Sequence, residues 1–216
     1  MNRIISLLAL AILAPACDDG TTGIAIDFEP ATEGAALTLA TDFEVTRLEA
    51  LVTELKLLPD KDPAKEAENT KFKAKGSFFV NALDPEDSTI PVVPLPAETY
   101  KKVEWKFEKP KDGAGLDGGD TALLLDAVID GVSVEVRIKA MDKVTLRYES
   151  GLVLATGKTS TFLVDLDVQG WFDGVDLTAL EADTDGVVVI DDKTNKSAYD
   201  AVVSNLKATI KLLRKP

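Results

Sequence analysis

Histidine is absent from the 216 residues, and cysteine occurs once, as Cys17. Without imidazole the chain has no Ser-His-Asp triad, no His general base and none of the ligands that most catalytic zinc and non-haem iron sites use. One thiol excludes an intrachain disulfide, a CxxC redox pair and a thiolate metal cluster. Basic residues are also in the minority: 24 Lys and Arg against 37 Asp and Glu leave a formal charge of −13. Such a field repels phosphate backbones and anionic lipid surfaces, and only Lys101, Lys102 and the stretch 211–215 concentrate positive charge. Nucleic acid is therefore not an expected partner. Carboxylate, Lys, Tyr and Ser/Thr chemistry is all that remains, and the expectation is a chain that is not an enzyme.

What is present begins at the N-terminus. Arg3 precedes an uncharged, mostly apolar run at 4–13, and Ala14, Pro15 and Ala16 follow it. A bilayer-spanning helix needs about 20 apolar residues. The shorter run with a positive start and a small-residue exit reads instead as a secretory signal over 1–16. Because Ala16 and then Cys17 close it, the segment resembles the lipobox of bacterial lipoproteins, with Ala14 where that motif usually has Leu. The resemblance implies cleavage between Ala16 and Cys17, diacylglycerol on the Cys17 thiol, and a palmitate-type acyl group on the new N-terminus. Several acyl chains on one residue anchor firmly. Removing residues 1–16 takes away Arg3 alone among the charges, which leaves 23 basic and 37 acidic residues, a net −14. Residues 17–23 then read as a tether and 24–216 as one folded domain.

Within that domain several segments alternate with period two. Val132, Val134, Val136, Ile138 and Ala140 share one face. Val144, Leu146 and Tyr148 follow, with Met141, Asp142 and Lys143 as the expected connection. Phe162, Val164, Leu166 and Val168 repeat the pattern, and so do Val103, Trp105 and Phe107, with Tyr100 expected on the opposite face. Asp130-Gly131 is a hairpin signal. Residues 43–58 fit strand alternation in part, while Val45, Leu48, Val52 and Leu55 also satisfy helical spacing; the segment is read as a strand. Residues 59–76 and 109–120 read as exposed loops. Over 197–213, Tyr199, Val202, Val203, Leu206, Ile210 and Leu213 form a helical stripe. The expected fold is all-β, an antiparallel β-sandwich with a C-terminal amphipathic helix.

The best local motif is the acidic stretch 181–192. On the twelve-residue calcium loop, Glu181, Asp183 and Asp185 take the first ligand places, Gly186 the turn, Val187 the backbone carbonyl and Asp192 the closing carboxylate. The plainer and favoured reading is an acidic turn leading into a strand at 187–190. Asp112, Asp117 and Asp120 form a second acidic group, read as a solvated loop. Asp165 and Asp167 share a strand face and are expected to face solvent; a carboxylate pair could serve glycoside hydrolysis, but nothing selects one. Trp105, Trp171 and Phe172 could stack on sugars, though packing suits each better.

The stretch Leu95-Pro96-Ala97-Glu98-Thr99-Tyr100 with Val103, and the later Asp165-Leu166-Asp167-Val168 with Trp171-Phe172, are similar to motifs of a family of uncharacterised bacterial envelope lipoproteins. That likeness implies a transthyretin-like or immunoglobulin-like sandwich and transfers no catalytic residues. The expected function is a lipid-anchored, non-catalytic binding or structural module of the bacterial envelope, without a cofactor, contacting the membrane through its anchor and an envelope protein or glycan. The alternatives are a calcium-stabilised carbohydrate- or protein-binding domain and a carboxylate-based glycosidase.

Overall fold

Residues 43–58 contain neither glycine nor proline and are rich in aliphatic side chains. They form most of one 17-residue strand, β2 (Phe43–Pro59). The computed structural model describes residues 23–30, 42–59, 72–89, 93–95, 97–109, 111, 113–116 and 118–214. Two bulges interrupt β2, between Val45 and Arg47 and between Val52 and Glu54. Each inserts one residue and shifts the inward phase by one. The core-facing set therefore runs Phe43, Val45, then Leu48, Ala50, Val52, then Leu55 and Leu57.

Two strands share one edge of β2 end to end. β6 (Leu123–Ile129) pairs with its first half, Leu123 opposite Ala50, and β5 (Thr99–Glu108) with its second half, Phe107 opposite Val52. β3 (Phe72–Asn81) takes the other edge. Outside β6 lies β7 (Val132–Ile138), and outside β5 lies β8 (Ala140–Val153). Both β7 and β8 run in the direction of β2, so the chain passes from one to the other through Lys139 alone although the two do not pair. The expected connection at Met141, Asp142 and Lys143 is thus part of β8, and Met141 is buried. β10 (Val188–Ile190) completes this sheet beside β7.

Between the collinear strands β5 and β6 the described residues 113–116 and 118–122 form an excursion. It turns back across the outer face of the sheet, where Leu116 covers Leu51 and Leu124. Leu116 pairs with Thr121, and a Cβ on Gly115 would collide with the Thr121 backbone. Glycine is required there for close approach.

A second sheet has the order β11 (Lys211–Arg214), β9 (Thr159–Leu166), β1 (Gly23–Pro30) and β4 (Val93–Pro94). Val164 and Leu166 of β9 belong to the same core as Leu48, Trp105 and Val136 of the larger sheet. Among the described residues the chain is mostly β with one helix, near the C-terminus, as expected. The sheets are mixed rather than antiparallel throughout, because β1 runs parallel to β9 and β10 parallel to β7. No hairpin joins either pair, so no tight turn dictates direction.

The helix α1 covers Lys196–Thr209, not 197–213. Ile210 is already extended, at φ −62° and ψ 131°, and residues 211–214 pair with β9. Free backbone groups on the edge of β9 outweigh the helical stripe at its last turn. Two smaller expectations also change. β3 starts at Phe72, inside the loop expected over 59–76. A register shift between Tyr100 and Lys102 turns Tyr100 inward beside Val103. Burial, then the Glu98 carboxylate, pushes its phenol up to about 12.

Candidate binding cleft

Asp130 and Gly131 form the turn between β6 and β7, both at positive φ, 51° and 78°. This matches the expected hairpin turn. The Asp130 amide donates to the Asp42 carbonyl at 2.9 Å, which ties the turn to the start of β2. Opposite it, the chain leaving β9 folds into two short 3-10 turns, Gln169–Phe172 and Leu177–Ala179. Side chains hold both in place. Asp167 Oδ1 accepts from the Gly170 amide at 3.0 Å. Asn205 of α1 donates to the Trp171 and Asp173 carbonyls at 3.1 and 2.9 Å. Asp176 Oδ1 accepts from the Thr178 hydroxyl at 2.7 Å and the Thr178 amide at 3.1 Å. Those bonds, the hydroxyl first, hold the Asp176 carboxyl below the usual range despite slight desolvation.

Between the hairpin and the 3-10 segment lies an open cleft of ≈ 340 Å³. The hairpin side contributes Phe43, Ile129 and Val132, and the 3-10 side contributes Phe172, Val175 and Leu177. Phe43 and Phe172 meet edge to face at 6.2 Å. Asp130, Asp173, Asp176 and the amide side chain of Gln169 add polar groups to this apolar lining. Among the described residues none of the three carboxylates has an ion-pair partner. The Gln169 side chain likewise has no hydrogen bond among the described residues.

The cleft adjoins the C-terminal end of β9. Gly23, where the described chain begins, pairs at the other end, opposite Thr159. Eight residues of strand, about 25 Å, separate the two ends.

The acidic stretch 181–192 is arranged as a turn. Asp183 Oδ1 accepts from the Asp185 and Val187 amides, each at 2.9 Å, and the Val187 carbonyl accepts from the Asp183 amide at 2.9 Å. Asn195 bonds the backbone of Glu181 at both its amide and its carbonyl. Asp192 pairs with Lys139 at 2.9 Å. Glu181, Asp183, Asp185, Val187 and Asp192 thus have distinct local roles, and among the described residues no three acidic side chains gather around one point.

Asp120 pairs with Lys109 at 2.5 Å. The ammonium's hydrogen bond, then its charge, hold the Asp120 carboxyl below the usual range. Asp112, Asp117, Ala16 and Cys17 lie outside the described residues. Trp105, Trp171 and Phe172 are buried in the core.

Asp165 and Asp167 were expected to face solvent, but both are half-buried. Asp165 lies opposite Lys211 of β11, an edge partner that periodicity did not anticipate. Burial pushes the Asp165 carboxyl above its usual range; Lys211 opposes the shift and Asp167 adds to it. An acid with a raised folded pKa costs stability at neutral pH, and the cost is relieved as pH falls through the folded value. Asp165→Asn is expected to raise the thermal unfolding midpoint by about 1–3 °C near pH 7 and by much less in acid, measured by circular dichroism. A lowered midpoint near neutrality would contradict this.

The cleft is not legible in periodicity or composition, because its walls come from segments far apart in the chain. Its only sequence signal is a pair of Asp-Gly turns, Asp130-Gly131 and Asp173-Gly174, whose aspartates line one cleft only through packing. No protein-family model, curated protein or solved structure matches the chain.

Proposed function

We propose that this chain is a lipid-anchored, non-catalytic binding module of the bacterial envelope, carried on a transthyretin- or immunoglobulin-like β-sandwich. The observation that carries the reading is the apolar run at 4–13, closed by Ala16 and Cys17. Five residues, 18–22, then separate Cys17 from the start of β1 at Gly23. A chain modified at Cys17 would hold the domain close to the lipid surface. One core shared by residues of both sheets supports the sandwich. The cleft supports a binding role, since small-molecule and side-chain sites are concave, mostly apolar and furnished with a few polar groups. Composition supports the absence of catalysis, because neither histidine nor a second thiol is present.

The test is fractionation of cells that express the full chain. Wild-type protein is expected in the membrane fraction and to incorporate labelled palmitate. Cys17→Ser is expected to move it to the soluble fraction without label. Unchanged membrane association of Cys17→Ser would refute acyl anchoring.

A further inference from the structure

Resting on the reading of this chain as a binding module, we propose that the cleft between the Asp130–Gly131 turn and the 3-10 segment receives a basic-apolar peptide segment of a partner protein. Charge complementarity selects the occupant. Asp130 and Asp173 add carboxylates without an ion-pair partner among the described residues to a lining that includes Phe43, Phe172 and Leu177. A ligand cation entering the cleft meets these carboxylates beside an apolar surface, where attraction is screened less than in open water. A Lys or Arg side chain meets both requirements at once, because its methylenes pack on apolar walls while its charged head reaches the carboxylates. The net charge of −13 steers such a segment toward the protein. Gln169 adds an amide with both donor and acceptor, suited to a peptide backbone. The volume of ≈ 340 Å³ is at the small end of ligand sites, fitting a few side chains rather than a folded domain. Position agrees as well: the cleft is at the opposite end of β9 from Gly23, so a tether at the N-terminus leaves it open.

The probe is the pentapeptide Phe-Arg-Leu-Lys-Phe-amide with carboxyfluorescein on its N-terminal amine, titrated by fluorescence anisotropy against the full chain in nanodiscs of zwitterionic lipid. The control peptide carries Glu in place of Arg and Lys. The basic peptide is expected to bind with a dissociation constant in the micromolar range. Its affinity is expected to fall at least about tenfold in Asp130→Asn/Asp173→Asn, and to fall in about 0.5 M salt. Asn tolerates the left-handed backbone at Asp130, so the turn survives the substitution, and an unchanged thermal midpoint verifies that. Equal binding of the acidic control, or undiminished binding by the double variant, overturns the proposal. If neither peptide binds, the basic-peptide assignment is overturned. A glycan or a small organic cation that instead shifts the amide resonances of Asp130 and Asp173 preserves the binding-module reading, and anchoring at Cys17 is judged separately by the Cys17→Ser fractionation.

Discussion

Trp171→Ala is expected to remove about 3–5 kcal/mol of folding stability, the range for truncating a large buried aromatic. For a domain stabilised by about 5–15 kcal/mol in total, that is a large share. Trp171 is fully buried where the first 3-10 turn meets α1. The helix places Ala198, Val202 and Leu206 inward, while Asn205 bonds the Trp171 backbone. A helix of 14 residues is marginal in isolation and depends on such docking. The variant should therefore show a lower urea midpoint together with weakened helical ellipticity at 222 nm. Trp171→Phe provides the contrast. The indole Nε1 has no hydrogen-bond partner among the described residues, so removing it also removes a buried unsatisfied donor, which offsets part of the lost packing. Trp171→Phe is expected to stay within about 1.5 kcal/mol of wild type. An Ala variant as stable as wild type would show that α1 docks without this contact.

Asn195 is the second position of large effect. It precedes α1 in the left-handed region, at φ 54° and ψ 41°, which Asn tolerates better than most residues. Its side chain makes three hydrogen bonds. Oδ1 accepts from the Glu181 amide at 3.1 Å, and Nδ2 donates to the Glu181 and Val189 carbonyls at 2.9 and 2.8 Å. One residue thus fastens the acidic turn, the edge strand β10 and the start of the helix. Asn195→Gly keeps the backbone conformation and loses the bonds, at a cost of about 2–3 kcal/mol. Asn195→Ala loses the bonds and adds left-handed strain of about 1–2 kcal/mol. Chemical denaturation should rank wild type above Gly and Gly above Ala, and the Glu181 amide should exchange faster in both variants. Equal stability of Ala and Gly would remove the strain argument, while a Gly variant matching wild type would remove the hydrogen-bond argument.

The β2 segment shows why a strand can resemble a helix in one dimension. Val45 to Leu48 and Val52 to Leu55 are steps of three, which fit helical spacing equally well. They are the two bulges, each skipping one residue of a period-two pattern. The Tyr100 reversal has the same origin in a register shift. Periodicity read from sequence assumes an unbroken ladder, and these breaks are set by the partner strands.

The acidic stretch was legible as far as its turn. Asp-Thr-Asp-Gly leads into β10 as the turn reading had it, with Gly186 at φ 80°. What the sequence did not show is Asn195, two of whose side-chain bonds reach Glu181 at the start of that turn, 14 residues away. Side-chain bonds of such span have no periodic signature.

Composition and periodicity alone determined the β-rich character, the Asp130-Gly131 turn, most of the inward residues and the range of chemistry open to the chain, because these depend on local backbone preferences and on which groups are present. Tertiary structure decided that β5 and β6 share one edge of β2, that residues 211–214 leave the helix for β9, and that Asp130 and Asp173 line one cleft. Those outcomes rest on pairing and packing between segments distant in sequence, where the free energy of satisfying an open strand edge or burying an apolar face exceeds local propensity.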